Sequence, residues 1–326
     1  MGPVAPAATS ETGGSNEAII VVVGPTASGK SKLARAIAER AHGVVINADS
    51  MQVYRELRIL TARPDDEDLA RAPHRLYGVL AASERCSAGR WRAMAVAEIA
   101  RARKGGRIPV IAGGTGLYIK ALINGLAPIP PIPEAVQAAA AERVSRHGGE
   151  ALHAELAVRD PAAAARIPPS DRQRLARAWA VLEATGRPLS EWQKETPSGI
   201  AARVFILHLD PPRAALYAAC DARFEHMLAR GALDEVRALA ALDLDPRLPV
   251  MKALGVAPLA AHLRGEFTLE AAAARARQVT RNYAKRQRTW FRHQITPAKV
   301  INAQFSERLF DEIFTDIRQF LLTPSC

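Results

Sequence analysis

The sequence predicts an α/β fold: a parallel sheet core with helices on both faces, plus an all-helical insertion domain. Three observations support this prediction. Short β-branched runs alternate with segments of helical periodicity, which is typical of a parallel sheet buried on both faces. A glycine-rich segment joins the first such run to the first helical segment, and the region between Pro128 and Ser198 contains no strand candidate.

Each predicted strand is a short apolar run that ends at a glycine or a polar residue. The runs cover residues 19–23, 44–46, 108–112 and 204–209, and the residues that follow them are Gly24, Asn47, Gly113 and Asp210. Ligands of open α/β sheets bind at the carboxyl ends of the strands. The residues that follow these runs are therefore the first candidates for a functional site.

Helices are predicted between and after these strands. The first covers residues 31–41, and Ala/Arg/Glu-rich stretches after a proline-rich entry predict insertion helices at residues 134–146, 149–158, 169–185 and 189–194. Later helices are predicted at residues 213–230, 232–239, 268–291 and 306–322. Apolar residues from Leu309 to Leu321 recur at helical spacing, which favours packing of the last helix against the core.

These elements divide the chain into five segments. We predict a flexible N-terminal tail at residues 1–17, the first part of a catalytic core at 18–127, and the helical insertion at 128–198. The second part of the core covers residues 199–305 and includes a basic helix at 275–292, and a C-terminal amphipathic helix covers 306–326.

Composition and charge narrow the class of protein. Of 326 residues, 48% are hydrophobic and 24% charged, which excludes wholesale disorder, collagen and coiled coil. The 44 Lys+Arg against 33 Asp+Glu give a formal net charge of +11, which is compatible with a polyanionic partner. The three cysteines lack zinc-site spacing, and no apolar run approaches the roughly 20 residues that span a bilayer. We expect a cytoplasmic monomer with reduced thiols and no membrane association.

The glycine-rich segment matches the phosphate-binding pattern G-x-x-x-x-G-K-[ST], which makes the predicted core P-loop NTPase-like. Its residues are Gly24, Pro25, Thr26, Ala27, Ser28, Gly29, Lys30 and Ser31. Backbone N–H groups would bind phosphate oxygens, Lys30 would supply a positive charge, and Ser31 can reach a Mg²⁺ ion. A glycine-rich turn that binds nothing is the alternative. The pattern identifies phosphate and leaves ATP hydrolysis, kinase transfer and diphosphate displacement open.

Asp49 follows the second predicted strand, so it should face the glycine-rich segment. Three roles fit a carboxylate at this place: a general base, a metal ligand through water, or a helix cap. After the third strand, Gly113 and Gly114 permit close approach of the backbone either to a ligand or to the next helix.

The predicted helix at residues 275–292 contains seven basic residues and no acidic one. Four of them form one stripe that suits phosphate contacts, namely Arg281, Lys285, Arg288 and Arg292. Three interleaved aromatic residues suit either core packing or stacking on bases, namely Tyr283, Trp290 and Phe291. A solvated charged face is the alternative for the whole stretch.

Five motifs, in order along the chain, together resemble the tRNA isopentenyltransferase (tRNA dimethylallyltransferase) family in its short bacterial form. They are GPTASGKS at 24–31, NADSMQVY at 47–54, AGGTGLY at 112–118, DRQRLARA at 171–178 and RNYAKRQRTWFR at 281–292. The resemblance implies transfer of a dimethylallyl group from dimethylallyl diphosphate to N6 of adenosine 37 in tRNA, which releases diphosphate.

The resemblance also implies a role for each motif. The glycine-rich segment would hold the diphosphate of the prenyl donor with Mg²⁺, Asp49 would be the general base, and Lys30 and Thr115 would complete the catalytic set. Ser31 would be the metal ligand. The tRNA anticodon stem-loop would be contacted by Asp49, Ser50, Met51, Gln52, Thr115, Gln137, Gln173, Arg174, Leu175, Ala176, Arg177, Lys285, Arg286, Gln287, Arg288, Thr289, Trp290, Phe291 and Arg292.

This sequence departs from the family pattern at three places. Leu60 and Arg63 stand where the family usually has Gly and Lys, and residues 256–258 replace a usual Tyr-Arg-Glu/Gln. Gln137 stands near a position where many members have an Arg that contacts tRNA, so we expect one phosphate contact to be missing. Two other functions are compatible with the motifs: a P-loop small-molecule kinase and a non-catalytic RNA-binding P-loop protein.

Overall fold

The computed structural model describes residues 18–195 and 199–323, which form two compact units. The sheet unit contains the described residues up to Ile123 and from Ile200 onward, and the helical unit is Asn124–Gly199. The predicted tail at residues 1–17 lies outside the described residues, as do the last three residues of the predicted C-terminal segment.

In the part of the chain that the structure describes, six parallel strands form the sheet, two more than the apolar runs predict. They are β1 (Ala18–Val23), β2 (Gly43–Asn47), β3 (His74–Arg75), β4 (Ile108–Gly113), β5 (Arg203–Leu209) and β6 (Lys299–Ile301), in the order β3-β2-β4-β1-β5-β6. β1 lies between β4 and β5, with Ile20 opposite both Val110 and Phe205. The short strands β3 and β6 form the two edges.

Thirteen α-helices are found in the described part of the chain. They are α1 (Lys30–Arg40), α2 (Asp66–Arg71), α3 (Ala88–Lys104), α4 (Gly116–Asn124), α5 (Glu134–Arg159), α6 (Pro161–Ala164), α7 (Arg172–Thr185), α8 (Leu189–Trp192), α9 (Arg213–Ala229), α10 (Ala232–Ala240), α11 (Val256–Leu263), α12 (Leu269–Gln294) and α13 (Phe310–Leu322). Short 3₁₀ helices cover Pro249–Lys252 and Glu307–Leu309.

Helices cover both faces of the sheet because the side chains of β1 alternate between two apolar clusters. Ile19 packs in a cluster with Trp91 of α3 and Phe291 of α12. Ile20 packs in the other cluster, which includes residues of α1 and, on α13, Ile313. The apolar spacing of the last helix therefore does reflect core packing, as predicted.

Several helix boundaries differ from prediction by a few residues, and two differences have a clear structural reason. The last helix becomes α-helical only at Phe310, because residues before it form the 3₁₀ helix. The two helices predicted at 134–146 and 149–158 form α5, which is interrupted at Gly148 with φ 79° and ψ 173°. Glycine adopts such a conformation without the steric cost that other residues meet.

The helical unit has its own apolar core. Leu152 and Leu156 of α5 pack with Leu175 and Val181 of α7. Asp160 is buried, and its carboxylate accepts hydrogen bonds from the N–H of Ala163 and of Ser190, at 3.0 and 3.1 Å. Among the described residues of this unit there is no strand.

Candidate active site

The glycine loop, residues 24–31, follows β1 and leads into α1 at the carboxyl end of a central strand. Gly29 has φ +91°, and a Cβ there would lie 2.9 Å from the Cβ of Phe305, so both conformation and packing require glycine. The N–H of Phe305 also donates to the carbonyl of Ser28 at 3.3 Å. The loop is therefore held in place by the segment that follows β6.

A cavity of about 640 Å³ opens beside the glycine loop, within the sheet unit. Its lining includes Lys30 and Ser31 of α1, Asp49 after β2, Arg223 of α9 and Tyr283 of α12. Further cations lie around it, namely Lys32, Arg58, Arg63, Arg230, Lys252 and Arg286. The structure thus brings together Lys30 and Asp49, which the sequence singles out, in a strongly basic cavity.

The ammonium group of Lys30 lies in this cavity, where its Nζ donates to the carbonyl of Pro25 at 3.3 Å. Burial lowers the pKa of Lys30 to about 8; the Asp49 carboxylate opposes this shift, and the Arg223 guanidinium adds to it. An anion that entered the cavity would favour the protonated form of Lys30.

Asp49 forms a turn with its neighbours. Its N–H donates to Oδ1 of Asn47 at 2.8 Å, and its own Oδ1 accepts from the N–H of Met51 at 2.9 Å. The buried Asn47 amide in turn donates to the carbonyls of Asp49 and Leu76. Because the next α-helix begins only at Asp66, Asp49 does not cap a helix, and that alternative is wrong.

Thr115, after β4, lies against the segment that contains Asp49. Its Oγ1 accepts from the N–H of Ser50 at 2.9 Å, and its own N–H donates to the carbonyl of Ala48 at 3.2 Å. A Cβ at Gly113 would overlap the Ala48 carbonyl, so the glycine permits this close approach of two backbones.

Two cavity residues were missing from the predicted catalytic set. Arg223 donates through Nη2 to Oγ1 of Thr26 at 2.6 Å, and burial lowers its pKa, although a guanidinium stays protonated in proteins. Burial, together with the Asp49 carboxylate, raises the pKa of Tyr283, so its phenol remains neutral. Tyr283 was predicted only as a packing or stacking residue. Arg223 lies in a helix without a recognisable local motif, so no signal pointed to it.

Gln287 lies inside the protein, although the sequence assigns it to the tRNA surface. Its side chain is buried, its Oε1 accepts from the N–H of Thr26 at 2.7 Å, and its Nε2 donates to the carbonyl of Gly114 at 2.8 Å. Phe291, on the same face of α12, is also buried in the core. Direct contact of tRNA with these two side chains would need them to leave the core.

The basic stripe of α12 is partly neutralised by acids from other helices and loops, which the sequence could not show. Asp210, after β5, pairs with both Arg288 and Arg292, at 2.6 Å in each case. Arg281 pairs with Asp221 of α9 at 2.7 Å. The side chain of Arg288 is only 17% exposed, whereas that of Arg292 is 55% exposed.

The remaining predicted contacts of α12 lie at its surface or at its edge. Lys285, Arg286 and Thr289 are exposed, and Trp290 is half-buried against Gly116, where a Cβ would overlap its ring. Among the predicted tRNA contacts on α12, the exposed cations are therefore Lys285, Arg286 and Arg292.

The helical unit presents its predicted residues on α7 and at the start of α5. Gln173, Arg174 and Arg177 are exposed, Ala176 is half-buried, and Leu175 is fully buried in the core of the unit. Gln137 is exposed, and its Nε2 donates to the carbonyl of Ile132 at 2.8 Å.

The loop at residues 58–63, which carries two departures from the family pattern, lines the cavity. Glu235 of α10 accepts hydrogen bonds from three consecutive N–H groups, those of Arg58, Ile59 and Leu60. Gln52 donates to the carbonyls of Thr61 and Ala62. These bonds hold the loop from two sides.

Both departures in this loop are accommodated by the structure. Leu60 is buried and packs near Gly255, and Arg63 donates to the carbonyls of Tyr54 and Arg55. The Arg63 guanidinium thus binds the backbone of the protein and is not a free cation.

Within residues 18–195 and 199–323, no group of three or more His, Cys, Asp or Glu side chains is placed to hold a metal ion. In the same ranges, none of the helices combines the length and apolar character that crossing a membrane requires.

The chain is similar to known proteins over most of its length. The IPP transferase family model matches residues 52–294. A tRNA dimethylallyltransferase of Rhodospirillum centenum is 59% identical over 285 residues, which cover 86% of this chain and 90% of that protein. One of Paramagnetospirillum magneticum is 55% identical over 305 residues, which cover 93% of this chain and 97% of that protein.

Two solved structures are similar over most of the chain. One is a tRNA isopentenylpyrophosphate transferase of Bacillus halodurans, with a TM-score of 0.69 and 31% sequence identity. The matched part covers 94% of this chain and 97% of that chain. The other is a eukaryotic dimethylallyltransferase acting on tRNA, with a TM-score of 0.79 and 26% sequence identity. The matched part covers 92% of this chain and 78% of that chain.

Proposed function

Because the chain belongs to the IPP transferase family, we propose that it transfers a dimethylallyl group from dimethylallyl diphosphate to N6 of adenosine 37 in tRNA. The product would be N6-(dimethylallyl)adenosine, with diphosphate released. The observation that supports this most directly is that Lys30 of the glycine loop and the carboxylate of Asp49 line one cavity.

The glycine loop is proposed to act as a P-loop for the diphosphate of the donor. Lys30 and the N–H groups at the start of α1 stabilise the negative charge that grows on the leaving group. Arg223, which is bonded to Thr26, adds a second fixed positive charge. The basic residues around the cavity attract both the donor and the phosphates of RNA.

We propose that Mg²⁺ would bind in this cavity mainly through the phosphates of the donor. Mg²⁺ keeps several waters and commonly binds through substrate phosphates with one or two protein oxygens. The hydroxyl of Ser31, which lines the cavity, would be that protein oxygen. When bound, the ion would neutralise part of the diphosphate charge.

Asp49 is proposed to be the general base. The exocyclic amine of adenine is a weak nucleophile, and a carboxylate hydrogen-bonded to it orients the amine and accepts its proton as the C–N bond forms. The turn with Asn47 and Met51 fixes the position of this carboxylate. The adenosine would reach it only after leaving the base stack, as in other enzymes that modify bases.

The tRNA surface is proposed to include three exposed cations of α12, namely Lys285, Arg286 and Arg292. Exposed residues of the helical unit, which we regard as an insertion in the catalytic core, would add contacts through Gln173, Arg174 and Arg177. Phosphate contacts would position the anticodon stem-loop without reading its sequence.

A transfer assay tests this function. Labelled dimethylallyl diphosphate and Mg²⁺ are incubated with the protein and an anticodon stem-loop that carries adenosine at position 37, and a stem-loop with guanosine at that position is the control. We expect label only on the adenosine-containing RNA. Absence of label together with ATP hydrolysis would support the small-molecule kinase instead.

A further inference from the structure

Gln287 connects the glycine loop with the loop that follows β4, and these two loops are distant in the chain. Its Oε1 accepts from the N–H of Thr26 in the glycine loop, and its Nε2 donates to the carbonyl of Gly114, next to Thr115. Both bonds are buried, at 2.7 and 2.8 Å. A Cβ at Gly114 would overlap the amide nitrogen of Gln287, so the backbone there is shaped to receive this side chain.

We infer that Gln287 is a positioning residue that fixes the donor loop relative to Thr115 and Asp49, and so sets the distance between the prenyl donor and the acceptor amine. This inference rests on the proposed function. It assigns Gln287 to the geometry of the reaction and not to contact with tRNA.

The chemistry of the amide explains why glutamine is suited to this place. Thr26 offers a donor and Gly114 an acceptor, so the connecting side chain must accept at one atom and donate at the other. A neutral carboxylic acid can do both, whereas a carboxylate can only accept. A carboxylate at residue 287 would therefore face the Gly114 carbonyl without a proton between them.

The bond to Gln287 also directs the Thr26 peptide. Because the Thr26 N–H is already engaged, it is not among the amides that face a phosphate in this arrangement. Its side-chain hydroxyl accepts from Arg223, which lines the cavity. Movement of Gln287 would thus displace both the loop and a neighbouring cation. A displacement of about 1 Å can reduce turnover roughly 100-fold.

The variant Gln287→Glu provides a test through pH. Groups near this position are Tyr283 on α12, Thr26 and Gly114 on the two loops, and Arg223 and Asp49 beyond them. Burial raises the pKa of an introduced carboxyl group. At high pH the variant would lose the bond to Gly114, and at low pH the protonated acid would restore it.

The experiment measures dimethylallyl transfer from pH 5.5 to 8.5 for the wild type, Gln287→Glu and Gln287→Ala, each expressed relative to the wild type at the same pH. Near pH 8 both variants should lose roughly 100-fold in kcat/KM for the donor. On acidification the relative activity of Gln287→Glu should rise at least about tenfold, and that of Gln287→Ala should stay constant. A constant ratio for both variants would overturn the inference.

Controls separate positioning from folding and from RNA binding. The folded fraction is measured by circular dichroism at each pH, and Gln319→Glu, the same change on the exposed surface of α13, should match the wild type throughout. The dissociation constant for the stem-loop should change less than about threefold in the Gln287 variants, because a buried amide makes no phosphate contact. If RNA binding falls more than turnover, Gln287 contacts the RNA and the positioning role is wrong.

A second measurement keeps this inference separate from the proposed function. Binding of inorganic diphosphate, measured by calorimetry, should weaken about tenfold in Gln287→Ala, because the glycine loop is displaced. Unchanged diphosphate binding would contradict the inference even if no transfer is seen. Failure of the wild type to transfer the prenyl group would contradict the proposed function alone.

Discussion

The hydroxyl of Thr115 accepts a hydrogen bond of 2.9 Å from the N–H of Ser50, and this bond joins the segments that follow β2 and β4. Asp49 is the residue just before this bond, and its carboxylate is further fixed by Met51. The proposed base thus has a position that does not depend on bound RNA.

Replacement of Asp49 by Asn tests the base without loss of the turn. The amide oxygen of Asn can still accept from the N–H of Met51, but it cannot accept a proton at neutral pH. We expect turnover to fall by roughly 100-fold or more, with the dissociation constant for the stem-loop changed less than about twofold. The exposed Asp243→Asn is the matched control. Equal losses of turnover and RNA binding would make Asp49 a binding residue.

The pKa of Lys30 predicts a pH dependence of donor use. Since this pKa is lowered to about 8 in the free protein, Lys30 carries its charge below pH 8 and loses it as the pH rises through 8. The kcat/KM for dimethylallyl diphosphate should therefore decline above pH 8. Lys30→Arg should remove this decline, because a guanidinium stays charged, whereas Lys32→Arg should retain it. A wild-type profile that is flat through pH 8 would exclude this role.

The exposed cations of α12 predict a change in salt dependence. Lys285→Ala should weaken stem-loop binding and reduce the slope of log affinity against log salt by about one unit, as expected for one lost phosphate contact. Arg288→Ala should change the slope less, because Asp210 already pairs with this guanidinium, which is only partly exposed. Binding measured by fluorescence anisotropy at several salt concentrations distinguishes the two variants. Equal slope changes would show that both residues contact phosphate.

We expect removal of the Asp210 carboxylate to destabilise the protein. Removing it in Asp210→Ala leaves Arg288 and Arg292 without their shared acid, and we expect the free energy of unfolding to fall by about 2 kcal/mol, less than for a fully buried pair because Arg292 is half exposed. Urea unfolding measures the change. Asp311→Ala, on the exposed surface of α13, is the control.

The same group has a defined pH window. Although burial favours the neutral acid, the hydrogen bonds from Arg288 and Arg292 lower the pKa of Asp210 below its usual 3.8. A carboxyl group whose pKa is lowered by folding stabilises the protein above its unfolded pKa, and this contribution is lost as the pH falls through the folded value. The difference in stability between wild type and Asp210→Ala should therefore be constant near neutrality and shrink below about pH 4.

We expect the Glu235 side chain to stabilise the loop at residues 58–63. In Glu235→Ala three consecutive N–H groups lose their acceptor, which should cost about 1–3 kcal/mol of stability or open the loop to cleavage. Urea unfolding and limited proteolysis measure the two effects, with the exposed Glu150→Gln as control. Wild-type stability with an uncut loop would show that water replaces the carboxylate.

The sequence was sufficient for the central strands because their apolar runs are long and end at distinct residues. β3 and β6 were not predicted, since two or three residues at a sheet edge give too short a pattern. Five helices were also not predicted, namely α2, α4, α6, α11 and the longest of them, α3. Its buried residues Trp91, Ala95, Ile99 and Ala102 fall at helical spacing, but two of the four are alanines, which give a weak apolar signal.

Some features of the site also could not be predicted from the sequence. A local motif can place Lys30 and Asp49 at the ends of strands, and the cavity contains both. It cannot show that Asp210 neutralises Arg288, or that Gln287 points inward to Thr26, because these partners are distant in the chain. Arg223 has no motif of its own, and its place follows only from the packing of α9 beside the glycine loop.

The order of the strands has a consequence for synthesis on the ribosome. β1 emerges first, yet one of its two neighbours, β5, begins only at Arg203, and the partner of Thr26 on α12 emerges later still. The helical unit, which is continuous in sequence, can be completed before either. A nascent chain released before α12 would thus contain the whole glycine loop motif and a finished helical unit, but not the residues that give the cavity its remaining wall.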